Sequence, residues 1–196
     1  MKKYIWYFVI IFAVYGCKSG NEEGDTNADY SKVDSSKISI QFDSDDLGLS
    51  FNPPKNWEPI PNFRSAERKL KFRAQGSEEF ISKPVYAFMD SKNKSNMTVT
   101  KIMFTGDVNK FKDFIGVYIQ LQKLNLRNSK VTEGKNSIAN REIRYLTIEK
   151  ENLISKKFIL LNNRSEIIQF DYTIPANDFQ KNERFISSSI ATLKFH

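Results

Sequence analysis
One cysteine, Cys17, and one histidine, His196, limit the chemistry open to this 196-residue chain. A lone imidazole offers no Ser-His or Cys-His nucleophile pair and no histidine metal site. The eight glycines are scattered and form no phosphate-cradling loop. Asp43, Asp45 and Asp46 share one turn and invite a calcium reading, but the later ligands and closing glutamate of a calcium loop do not follow them, so a plain turn is expected. Two carboxylates brought together by the fold would be the remaining route to hydrolysis. The acids sit mostly in turns, at helix starts or on polar faces, so no catalytic residue, metal or cofactor is assigned and a non-enzyme is expected. Lys and Arg number 30 against 23 Asp and Glu, a net charge of +7, and loss of Lys2 and Lys3 would leave +5. These charges are interleaved along the chain rather than clustered on one face, which argues against nucleic acid as a partner.

The reactive group with a legible purpose is the Cys17 thiol. Lys2 and Lys3 precede an apolar and aromatic run over residues 4–15, and Gly16 and Cys17 close it. As a helix that run would span roughly 18 Å, short of the ~30 Å hydrocarbon core, so it has the form of an export signal rather than a permanent span. Val14-Tyr15-Gly16-Cys17 resembles the bacterial lipobox, in which the cysteine is lipidated on sulfur and becomes the mature N-terminus. The resemblance implies a signal peptide over residues 1–16, lipidation at Cys17, and an envelope protein anchored most often in the outer membrane. An ordinary secretory signal containing a cysteine by chance is the alternative, and it leaves the only cysteine unexplained. Residues 18–29 hold no aliphatic side chain larger than Ala28, so residues 17–36 read as the lipidated cysteine and a flexible tether. Glu22, Glu23 and Asp25 resemble the short acidic signal after the lipidated cysteine of surface-exposed lipoproteins of Bacteroidetes. A solvated acidic linker explains them equally well.

With no internal disulfide possible, residues 37–196 must fold on a core of their own, and a single domain of about 160 residues is large enough to do so. Ile38, Ile40 and Phe42 alternate with polar residues and predict a strand over 38–42, followed by a turn and a short strand over 49–51. Pro53 and Pro54 then force an extended corner that lets Trp57 return to the core. Residues 58–83 carry little pattern. A short basic helix over 65–73 and a helical turn over 77–81 are as admissible as a mobile loop, and a partner or ligand loop would be sought here first. Residues 85–89 and 97–104 predict a hairpin. Asp107 is the expected N-cap of a helix bearing Val108, Phe111, Phe114, Ile115, Tyr118, Leu121 and Gln122 at helical spacing. That aromatic stripe packs on its own sheet or, alternatively, receives an apolar guest. Strands are expected over 130–133, 142–149, 154–161 and 166–174, with a turn at 134–136. Asn177 or Asp178 caps a final helix, in which Ser187, Ser188 and Ser189 permit close approach to the sheet.

This order predicts an α+β fold, an antiparallel β-sheet with helices packed on its faces. The sequence Phe51-Asn52-Pro53-Pro54-Lys55-Asn56-Trp57 near its start and residues 185–195 at its end resemble the PsbP-like family and its Mog and DcrB relatives, over residues 37–195. The resemblance implies a PsbP-like α/β/α sandwich and periplasmic or lumenal accessory proteins, adaptors or chaperones. It transfers no catalytic residue. The expected function is a membrane-anchored, non-catalytic accessory or adaptor module, attached through its lipid and docking a protein partner in the envelope. A carrier of an apolar or lipid ligand is the alternative.

Overall fold
A computed structural model describes residues 30–71 and 78–196. Eight strands form one antiparallel sheet: β3 (Glu58–Pro59), β4 (Arg68–Lys71), β5 (Glu79–Asp90), β6 (Ser95–Phe104), β7 (Lys130–Ile138), β8 (Arg141–Lys150), β9 (Leu153–Leu161) and β10 (Ile167–Pro175). Their spatial order is β3-β5-β6-β10-β9-β8-β7, with β4 also pairing on β5. A second, three-stranded sheet joins β1 (Phe42–Ser44), β2 (Leu49–Phe51) and β11 (Lys194–Phe195) in the order β1-β2-β11. Helix α1 (Phe114–Asn125) packs on one face of the large sheet, and α2 (Phe179–Ala191) packs on the other with the small sheet. This is the expected α+β arrangement.

Strand period 2 divides the core into two clusters on opposite faces. Along β10, Ile168, Phe170, Tyr172 and Ile174 point toward α2, where they meet Leu49, Phe51, Ile186 and Ile190. Ile167 points toward α1 with Ile159, Leu146, Ile102, Phe80 and Ile119. Small serines on α2 allow it to sit close, as expected: buried Ser189 donates to the Asn52 carbonyl at 2.6 Å and lies 3.3 Å from the Tyr172 hydroxyl.

Several expected boundaries move, each for a physical reason. The strand expected over 38–42 is not formed. Ile38 makes one isolated bridge to Pro54, Ile40 is 89% exposed, and pairing starts at Phe42. Prolines opposite have no N–H to donate, so the ladder cannot propagate there. The segment 65–73 contributes no helix among its described residues but a strand, because Leu70 pairs opposite Phe80 and is drawn into its cluster. Residues 79–81 belong to β5, and the helical reading of 77–81 fails with them. Helix α1 begins six residues later than Asp107 requires: Asp107 caps only a short turn over Val108–Lys110, while Asp113 accepts from the Gly116 N–H at 2.9 Å and caps α1. Phe111 leaves the helix to meet Phe104, with ring centroids 5.5 Å apart.

The expected turn at 134–136 is absent, and β7 runs straight through it. Gly134 faces Tyr145 across the ladder, and a methyl group there would lie 2.2 Å from that ring, so glycine is required by close approach rather than by a turn. The reversal falls instead on Ala139 and Asn140, at φ +50° and +61°.

Packing also begins earlier than the expected tether ends. Tyr30 is 2% exposed and lies edge-on to Phe158 at 5.2 Å, seven residues ahead of Lys37. From there the chain follows α2, where Asp34 N–H donates to Ser188 Oγ and Lys37 Nζ sits 5.1 Å from the Phe185 ring centre. The leader, Cys17 and residues 18–29 lie outside the described residues.

Candidate functional site: a polar groove beside α1
Helix α1 is too short to cover its face of the large sheet. At 1.5 Å per residue its twelve residues reach roughly 18 Å. Over one end of the sheet it seals an aromatic cluster in which Phe80 lies 5.4 Å from Phe114 and 5.2 Å from Tyr118. Toward its C-terminal half the same sheet face turns polar, and a groove of about 690 Å³ opens there. Its floor comes from Thr98 and Thr100 on β6, Gln169, Asp171 and Thr173 on β10, and Lys157 on β9. One wall is α1 with Tyr118, Gln122 and Asn125, and the other is Phe63 with β4.

Register explains the floor. Odd-numbered positions of β10 face α1, so Ile167, Gln169, Asp171 and Thr173 form a row that passes from apolar to polar. A bulge in β5 between Pro84 and Tyr86 re-aims that strand, placing Pro84 at the groove and Tyr86 against the opposite core.

The polar groups form a directed chain. Gln122 Nε2 donates to Tyr118 Oη at 2.9 Å, Tyr118 Oη donates to Gln169 Oε1 at 2.9 Å, and Gln169 Nε2 donates to Asp171 Oδ2 at 2.7 Å. Asp171 Oδ1 receives Lys157 Nζ. Burial pushes the Tyr118 phenol well up, with the Asp171 charge adding to the effect, so Tyr118 stays a protonated donor and is no base. Among the described residues no serine or threonine hydroxyl of the groove is hydrogen-bonded to a carboxylate or amine, and no three His, Cys, Asp or Glu side chains gather to hold a metal. The arrangement is suited to binding. Tyr118→Phe is expected to lower stability by about 1–3 kcal/mol, since Gln169 Oε1 loses its donor in a buried network. A urea midpoint indistinguishable from the unsubstituted protein would mean that water replaces the hydroxyl there.

The residues singled out by sequence fall into three places. Phe63, Ser65, Arg68, Lys69, Leu70 and Ser82, all within the patternless segment 58–83, line the groove. Of the expected stripe, Phe114, Ile115, Tyr118 and Leu121 of α1 pack on the sheet, and Tyr118 and Gln122 reach the groove. The three turn aspartates do not converge: Asp43 meets His196 at 3.0 Å, Asp46 meets Lys101 at 3.7 Å, and Asp45 lends its carbonyl to Arg164. The sequence pattern does not single out Lys157, Gln169 or Asp171: Gln169, Asp171 and Thr173 alternate with Phe170 and Tyr172 as in a strand apolar on one face, whereas in the structure Gln169 is itself buried.

The sequence matches no family model and no curated protein. The fold matches the solution structure of cyanobacterial PsbP (CyanoP) from Synechocystis sp. PCC 6803 with a TM-score of 0.51 at 9% identity, over 82% of this chain and 94% of that one. A Pseudomonas aeruginosa protein of unknown function aligns at a TM-score of 0.40 and 13% identity, over 80% of this chain and 96% of that one. A Bacteroides thetaiotaomicron protein aligns at 0.40 and 15%, over 81% of this chain and 49% of the other. At 9% identity the likeness to the cyanobacterial protein extends to the fold alone, which is PsbP-like.

Proposed function
We propose that this protein is a lipid-anchored, non-catalytic accessory module of a bacterial cell envelope, binding its partner through the groove beside α1. The observation that carries the binding role is the Gln122-Tyr118-Gln169-Asp171-Lys157 chain: an ordered polar lining at an open concavity, with no base or nucleophile arranged to react. A polar lining favours a polar ligand over the apolar cargo of a carrier. The anchor rests on the Lys2-Lys3 start, the short apolar run and the lipobox-like residues 14–17. The acidic residues 22, 23 and 25 suit display at the surface of a Bacteroidetes cell. Among the described residues no helix is long and apolar enough to cross a membrane, so attachment would fall to the acyl chains. Each buried methylene contributes about 0.8 kcal/mol, and two or three chains hold a protein at the bilayer durably. Cys17→Ser is expected to abolish acyl labelling and move the protein out of the alkali-washed membrane fraction, with the circular dichroism of the folded domain unchanged. Retention of the variant in washed membranes, or an unmodified thiol at Cys17 by mass spectrometry, overturns the anchored reading.

A further inference from the structure
We infer that the groove beside α1 takes a neutral, hydroxyl-rich ligand, an oligosaccharide segment, held by side chains of β6, β10 and α1; this rests on the groove being the binding site.

Charge narrows the ligand first. Among the described residues Asp171 is the only carboxylate lining the groove, so a divalent cation would find a single charged ligand there. On the floor Lys157 is occupied by Asp171; at the rim Lys69 is held by Glu79 at 3.0 Å, while Arg68 is exposed to solvent. A charged group seated on the floor would have to break the Lys157–Asp171 pair, which disfavours a ligand charged at its centre.

The way strands are paired narrows it further. The floor lies on β6, β10 and β9, each of which has a neighbour on both sides. Their backbone N–H and C=O groups are used within the sheet, so an extended peptide has no free edge to join on the floor; β4, at the wall, is the lining strand that pairs on one side only. Recognition on the floor must come from side chains.

What those side chains offer is neutral and bifunctional. Thr100 is 4% exposed and lines the groove, and neither its hydroxyl nor that of Thr98 is bonded to a protein group. A hydroxyl both donates and accepts, and Asn125 adds an amide at the wall. Sugar hydroxyls have the same dual character, while Phe63 and Leu70 on the facing wall provide apolar surface for the C–H faces of a pyranose. A volume of about 690 Å³ is of the size of small-ligand sites.

The test is amide chemical-shift mapping of the full chain in a detergent without a sugar headgroup. The probes are neutral hexasaccharides of glucose, mannose and N-acetylglucosamine, then tripolyphosphate, then a neutral Ser/Thr-containing hexapeptide. Saturable shifts at Thr98, Thr100, Gln122 and Gln169 with at least one hexasaccharide are expected, and Thr100→Val should weaken that binding about tenfold, the worth of one hydrogen bond. Should Thr100→Val misfold, Thr98→Val, at a less buried position, carries the same expectation. Shifts at the groove with tripolyphosphate or the peptide alone overturn the sugar assignment and leave the groove as the binding site. No shift there with any probe overturns both. Sugar binding that is indifferent to the folded threonine variant overturns the assignment of its contacts.

Discussion

Glu183→Ala is expected to destabilise the fold by about 3–5 kcal/mol, far more than a typical surface substitution, because it strands a buried cation. Lys156 is 4% exposed on the α2 face of β9, and its ammonium meets Glu183 of α2 at 3.0 Å. Around it stand the rings of Tyr30, Tyr145 and Phe179, with centroids 5.1, 5.2 and 5.8 Å away. Ring faces attract a cation and offset part of its lost hydration, but they cannot replace a carboxylate. The two partners are not equivalent. The Glu183 side chain is 14% exposed against 5% for Lys156, so a Lys156→Met chain, which leaves the more hydrated partner unpaired, is expected to lose less. The combined Lys156→Met, Glu183→Leu chain removes both charges and is expected to recover most of the loss. Urea denaturation of the three variants decides it. If Glu183→Ala falls by less than about 1 kcal/mol, the aromatic rings alone hold the ammonium and the ion pair is dispensable.

The frame of the fold was legible where one period dominated. Strands β8, β9 and β10 and helix α2 follow from their periods and from the Asn-Asn-Arg-Ser turn at 162–165, although the expected cap does not form: Asp178 stands at the N-cap position of α2 without a side-chain bond to it. Legibility failed where a distant residue set the local outcome. Gly134 reads as a turn residue because the Tyr145 ring above it is eleven residues away. Leu70 lies in a basic run that looks helical, and only Phe80 across the ladder makes it a strand residue. Phe111 keeps helical spacing with Phe114 yet is drawn off the helix by Phe104. The groove was half legible. Segment 58–83 was rightly the place to look for a loop that lines a site, because it lacked a pattern of its own. The floor was missed for the opposite reason: Gln169, Asp171 and Thr173 fit strand alternation so well that they read as a solvated face, and nothing in the chain order says that α1 stops short of them.

Tyr30 makes the second large claim, because it decides where the anchor ends and the domain begins. Tyr30→Ala is expected to cost about 3–5 kcal/mol, as for other large aromatic truncations in a core. It removes a ring that packs on Phe158 and Tyr145 and forms one wall around Lys156. A chain begun at Lys37 loses that ring and also the Asp34 N–H to Ser188 bond, so it should be at least as unstable as the point variant. Equal denaturation midpoints for the Lys37 chain and the full chain would return residues 30–36 to the tether. The outcome matters for function through reach. Tyr30 lies thirteen positions after Cys17, and even fully extended that stretch spans at most roughly 45 Å, against about 70 Å if order began at Lys37. With the proposed anchor at Cys17, a domain clasped at Tyr30 would be confined to a thinner layer above the bilayer, and a ligand on the same membrane would meet its groove at a correspondingly higher effective concentration.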